Sequence, residues 1–286
     1  MKKTIVTFLF YFLHIIFAQS QNTNNLNYTN IIIISDLSSR VNSKKFPLKD
    51  EREITKIINY FKDICVRPGQ KLGDMSCLSF HTFSDLDPFI IDLSKFENIG
   101  VRQKFINSTS QFRNNGFVKK IDDFNKHVNR IYSTMSNKGL DLISILTEKI
   151  QNKFDLKLSV GGNSPVKYEN HLYVFTDGYL EYKIQGNNQF YFGQPQIANI
   201  RKYCIKNKLS VTSALNKNPS LGIPATRSGK NKQINIHILE THERDKNVEF
   251  LTYENQSGFR DNEILEAVWR KWAIESGFKS FEWKKY

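Results

Sequence analysis

Four consecutive isoleucines, Ile31 to Ile34, stand between Asn30 and the pair Ser35-Asp36. A continuous β-branched run without polar alternation suits a strand buried on both faces, as in the middle of a parallel sheet. Such a sheet needs helices on either side, and the remaining pattern supplies them. Pro47 to Cys65 predicts a helix, with Ile54, Ile57, Ile58 and Phe61 at helical spacing and Glu51 and Glu53 in its first turns. Cys77 to Ser84 alternates as a strand, and Pro88 to Leu93 predicts another after a turn at Ser84-Asp-Leu-Asp87.

Phe117 to Ser136 predicts a basic amphipathic helix with Val118, Ile121, Phe124, Val128 and Ile131 on its apolar face, ended by Gly139. Leu140 to Phe154 predicts a second helix, and Gly161 to Pro165 a turn. His171 to Gly178 reads as a strand entering a glycine turn, Gln194 to Asn207 as a helix, and Leu209 to Lys232 as a long surface loop. A strand from Gln233 to Leu239, a helix from Asn262 to Gly277 and a last strand from Lys279 to Tyr286 complete the series. Strands alternating with helices predict an α/β fold: a doubly wound, mostly parallel sheet with helices on both faces and one antiparallel edge strand.

The first residues predict a fate for the chain. Lys2 and Lys3 precede an apolar stretch from Ile5 to Phe17, and the small residues Ala18 and Ser20 follow. This is the pattern of a secretory signal peptide, and its apolar run is shorter than the ~20 residues that span a bilayer. The expected organisation is a signal peptide over 1–20, a flexible Asn- and Thr-rich leader over 21–29, and one domain over 30–286. The chain is then exported, periplasmic or secreted. Its formal charge of +13 falls to about +11 once Lys2 and Lys3 are removed, so the mature protein stays basic. Outside the cytoplasm that excess predicts an acidic protein or an anionic envelope surface as partner, and makes nucleic acid an unlikely one. Export permits disulfides. Cys65 and Cys77 flank a short segment and are candidates for a bridge, with three buried thiols as the alternative.

In open α/β sheets, ligands bind beyond the carboxyl ends of the strands where strand order reverses. Two predicted strands end in an acidic residue with polar neighbours: Asp36-Leu-Ser38-Ser39-Arg40 and Thr176-Asp177-Gly178. If the two strands are adjacent, Asp36 and Asp177 share one crevice. Gly139-Leu140-Asp141 lies between them in sequence, at the entry to a helix.

These segments resemble the von Willebrand factor type A (vWA) family. That family carries Asp-x-Ser-x-Ser after its first strand, a Thr before a central helix, and an Asp, often in Thr-Asp-Gly, after its fourth strand. The stretch from Cys77 to Ser94 resembles its second strand and antiparallel third, and the resemblance is best from Asn30 to Tyr182. It implies a divalent cation, usually magnesium, whose open position takes a partner's acidic side chain. Carried onto this chain, the implied ligands are Asp36, Ser38 and Asp177, with Asp141 as a further candidate. Ser39, Arg40, Gly139, Thr176 and Gly178 would line the crevice. Two hydroxyl ligands do not carry over, because Arg40 stands at the second Ser and Leu140 at the Thr. The guanidinium of Arg40 could neutralise the carboxylates in the metal's place, or point to solvent. Asp36 and Asp177 could also simply cap turns and helices.

The resulting expectation is a non-enzymatic interaction protein. The alternatives are a magnesium-dependent hydrolase of phosphate esters or nucleic acid, for which no general base or nucleophile can be named, and an envelope component with an inert crevice. His242 and Glu243 lack the spacing of a zinc helix, although Glu240 to Asp245 could line the same crevice. His237 reads as a sheet-surface residue, and Trp269 and Trp272 as core. The cluster Arg227 to Lys232 reads as a solvated loop.

Overall fold

Eight strands are described in the computed structural model: β1 (Leu26–Ser35), β2 (Cys77–His81), β3 (Phe89–Asp92), β4 (Val166–Thr176), β5 (Ile234–Glu240), β6 (Lys246–Asn247), β7 (Thr252–Tyr253) and β8 (Ser280–Lys285). The structure describes residues 26–37, 45–81, 88–134, 142, 146, 156–157, 166–181, 190–240, 244–247, 249–254 and 258–285. Six strands form the central sheet in the order β3-β2-β1-β4-β5-β8, while β6 and β7 make a small antiparallel hairpin. Pairing is parallel throughout the central sheet except between β2 and the edge strand β3. Strand order reverses between β1 and β4, the place beyond whose carboxyl ends open α/β sheets bind ligands.

Side-chain alternation splits the isoleucine run between two cores. Ile31 and Ile33 join Leu78, Phe80, Phe175 and Leu239 on one face. That face is covered by α1 (Lys45–Tyr60), the π-helical turn Phe61–Val66, α2 (Ile99–Ile106) and α3 (Phe117–Thr134). Ile32 and Ile34 join Leu172, Val174, Ile236 and Ile238 on the other. There the cover is α4 (Gln194–Asn207), α5 (Val211–Lys217) and α6 (Asp261–Glu275). Leu142 and Leu146 are buried in this second core, while the rest of the helix expected over 140–154 lies outside the described residues. Trp269 and Trp272 are core residues, packed edge to face at 5.4 Å.

Four expectations are corrected. The leader over 21–29 is not wholly a leader, because β1 starts at Leu26 and pairs with β4 from Val166 onward. Buried Tyr28 packs on Tyr168, and Ser76 Oγ accepts from Thr29 N at 3.0 Å. The loop expected over 209–232 contains α5, whose Val211, Ala214 and Leu215 are buried at helical spacing. Ser210 caps it by accepting from Ser213 N at 3.1 Å, which supplies the start signal that the weak periodicity hides. Val118, placed on the apolar face of α3, is exposed, and His127 and Tyr132 are buried instead.

The bridge between Cys65 and Cys77 is not formed, and both are buried thiols, as is Cys204. Cys65 belongs to the core containing Ile31 and Ile33, whereas Cys77 is in register with Asn30, whose side chain alternates to the opposite face. The sheet itself separates the two sulfurs. Among the described residues no helix is long and apolar enough to cross a membrane.

Candidate functional site

Because β1 and β4 are neighbours, Asp36 and Thr176-Asp177 stand together at the carboxyl end of the sheet. Asp36 N donates to Phe175 O at 2.8 Å, which extends the ladder one residue past β1. Thr176 Oγ1 donates to Asp36 Oδ2 at 3.1 Å and accepts from Gly178 N at 3.0 Å. Asp177 Oδ1 accepts from Tyr179 N at 3.2 Å. Asp36, Thr176 and Asp177 are all buried. Thus Asp36, Thr176, Asp177 and Gly178 form one hydrogen-bonded turn across two strands. Ser38, Ser39, Arg40, Gly139 and Asp141 lie outside the described residues, as do His242 and Glu243.

Gly178 is required by backbone geometry and by space. Its φ is +86°, and an added Cβ would stand 2.7 Å from the Trp283 ring. Its carbonyl accepts from Trp269 Nε1 at 2.8 Å, tying the turn to α6.

The cation beside Asp177 is Arg244, from the segment that follows β5. Its Nε donates to Asp177 Oδ2 at 2.7 Å and its Nη1 to Glu181 Oε2 at 2.5 Å, while its guanidinium stacks over the Tyr179 ring at 4.1 Å. Burial works against the charge of Arg244, but the pull of Asp177 and Glu181 outweighs it and holds the guanidinium above its ordinary pKa. The two carboxylates differ in access: the Asp177 side chain is 0% exposed and that of Glu181 34%.

A second guanidinium lies deeper. Arg201 pairs with Asp261 at the start of α6, and its Nε donates to Phe259 O at 2.7 Å. Asp261 Oδ2 also accepts from Tyr179 Oη at 2.7 Å and from Gln194 Nε2 at 2.6 Å. Burial and this bond to Asp261 push the Tyr179 phenol well above its ordinary pKa, so it stays protonated and donating. Asp245 Oδ2 accepts from Asp261 N at 3.1 Å, caps α6 and anchors the base of the β6–β7 hairpin.

As arranged, the described part of the expected ligand set does not fit a magnesium ion. Both oxygens of Asp177 are engaged, one of them by a guanidinium, and an added dication beside that guanidinium would be repelled.

The sequence missed Glu181 and Tyr179 as site residues. Of the stretch Glu240 to Asp245, which could line the crevice, Arg244 reaches Asp177 while Asp245 is buried against the start of α6. For Tyr179 and Glu181 the available signal is their position immediately after Thr176-Asp177-Gly178. No protein-family model and no curated protein matches this chain.

Proposed function

We propose that this is an exported, non-enzymatic interaction protein with a vWA-like domain, which takes an acidic group of a partner protein or anionic surface at the crevice between Asp36 and Asp177. One observation carries the reading. Arg244 is held by buried Asp177 on one side and by accessible Glu181 on the other. A guanidinium so anchored presents a planar pair of donors suited to a carboxylate. Glu181 holds the outer place, and an incoming carboxylate that replaces it leaves the charge balance of the crevice unchanged. In this chain Arg244 takes the electrostatic part that a cation plays in the family it resembles.

The strand order, with its antiparallel edge strand, supports the resemblance, as do Asp36 and Thr176-Asp177-Gly178 at the reversal. The basic composition supports an acidic partner. A divalent cation would enter only with Arg244 displaced.

Surface plasmon resonance over immobilised poly-glutamate, with poly-lysine as control, tests the reading. Glu181→Gln should strengthen retention on poly-glutamate and Arg244→Gln should weaken it. Retention unchanged by both variants would remove Arg244 from the interaction. Magnesium heat in calorimetry that disappears in Asp36→Ala would favour the cation over the guanidinium.

A further inference from the structure

One open part of the sheet carries imidazoles rather than apolar side chains. His171 on β4 and His237 on β5 stand on the Ile31–Ile33 face, toward the β8 edge and away from the crevice. His171 Nδ1 and His237 Nε2 share a hydrogen bond at 3.0 Å. Each ring has a carboxylate at its other nitrogen. His237 Nδ1 donates to Glu282 Oε2 at 2.6 Å, and His171 Nε2 lies 3.7 Å from Glu169 Oε2. Tyr173 stacks on His237 at 4.4 Å with 14° between the planes. The imidazoles are partly open to water, with side chains 19% and 14% exposed.

We propose that His171 and His237 bind a divalent transition-metal ion between Nδ1 of the first and Nε2 of the second. A carboxylate on the far nitrogen is the device that fixes the tautomer and orientation of a metal-bound histidine and raises its basicity. Here Glu282 is hydrogen-bonded to His237, and Glu169 stands within ion-pair distance of His171. Two nitrogens 3.0 Å apart, each bound at about 2.0–2.1 Å, subtend roughly 95° at the metal. That is nearer a cis pair in a tetragonal site than a tetrahedral one, so copper(II) and nickel(II) suit the pair better than zinc(II). The rings lie 21° from coplanar with centroids 5.3 Å apart, so their nitrogens face each other almost in line. Binding therefore moves the proton of His171 from Nδ1 to Nε2, on the side of Glu169, so that both facing nitrogens are free for the metal with no net loss of a proton, and both rings turn on their side-chain torsions to aim their lone pairs at it. The protein supplies two donors, and water completes the shell through the open side.

Full-length, untagged, metal-stripped protein is titrated with copper(II), nickel(II) and zinc(II) chloride at pH 7.5 by calorimetry, and the copper complex is read by electron paramagnetic resonance. The expected result is one ion per chain, a spectrum split by two imidazole nitrogens, and weaker binding of zinc than of copper. His237→Gln should remove the two-nitrogen spectrum, and Glu282→Gln should weaken binding by about 10- to 100-fold while keeping it. Affinity should fall from pH 7.5 to 5.5 as protons compete for the imidazoles. Circular dichroism of the metal-free variants checks that both fold, and His171→Gln serves as the second variant should His237→Gln fail, because it removes the other nitrogen donor and should equally abolish the two-nitrogen spectrum. No stoichiometric copper binding, or a spectrum unchanged in His237→Gln, overturns the proposal. Either result leaves the crevice reading untouched, since the two sites share no residue.

Discussion

The two ends of the same strands solve one problem in different chemistry. At the amino end of β1, β4 and β5, the buried side chains that join strand to strand are neutral amides. Asn30 Nδ2 donates to Asn170 Oδ1 at 2.8 Å, Asn170 Nδ2 donates to Lys157 O at 3.1 Å, and Asn235 Nδ2 donates to Asn170 O at 3.3 Å. Ser280 Oγ carries the ladder to β8, donating to Asn235 Oδ1 at 2.7 Å. At the carboxyl end the buried groups are Asp36, Asp177 and Asp261, matched by Arg201 and Arg244. The amide ladder joins strands to one another and ends on backbone. The charged end has an arm that reaches outward, from Asp177 through Arg244 to exposed Glu181. Neutral amides suit a permanent join, whereas an ion pair with one accessible member suits exchange.

Breaking the charged end should have the larger effect. Arg244→Ala leaves Asp177 buried without its guanidinium and should cost about 2–4 kcal/mol in urea unfolding, somewhat below a fully buried pair because Arg244 is partly exposed. Asn170→Ala removes the centre of the amide ladder and should cost about 2–3 kcal/mol, with the loss independent of salt. A salt-dependent loss there would erase the contrast between the ends. Gly178→Ala should cost about 1–3 kcal/mol, from positive φ and the approach of Trp283, and should disturb the crevice before the core. Glu181→Gln should change stability by less than about 1 kcal/mol, which separates its proposed exchangeable place from the structural one of Asp177.

The gentlest effect should come from pH. Burial and the neighbouring His237 hold His171 below its ordinary pKa. The folded chain therefore binds fewer protons at this ring than the unfolded chain does. Its contribution is present above about pH 6.5 and is lost as pH falls through the lower folded value. The urea midpoint should drop between pH 7 and pH 5, and His171→Gln should flatten that slope.

Much of the frame was legible in the residues. Ile31 to Ile34 announced a strand buried on both faces, and Asp36 and Thr176-Asp177-Gly178 announced two strand ends with ligand-like chemistry. Periodicity located α4 and α6 because their apolar stripes are regular. It overlooked α5, which is short and marked mainly by its Ser210 cap. The sequence also left a Cys65–Cys77 bridge open beside three buried thiols, because sequence distance carries no record of a sheet standing between two side chains.

By itself the sequence determined the strand–helix alternation, the parallel core and the acidic strand ends, since each follows from local residue type and spacing. Tertiary structure decided which charge meets which. Arg244 lies 67 residues from Asp177, and His237 lies 66 from His171. Neither pair has a local signal, because a strand's register with its neighbour is set by the packing of whole faces. Only that register brings a guanidinium to one carboxylate and an imidazole to another.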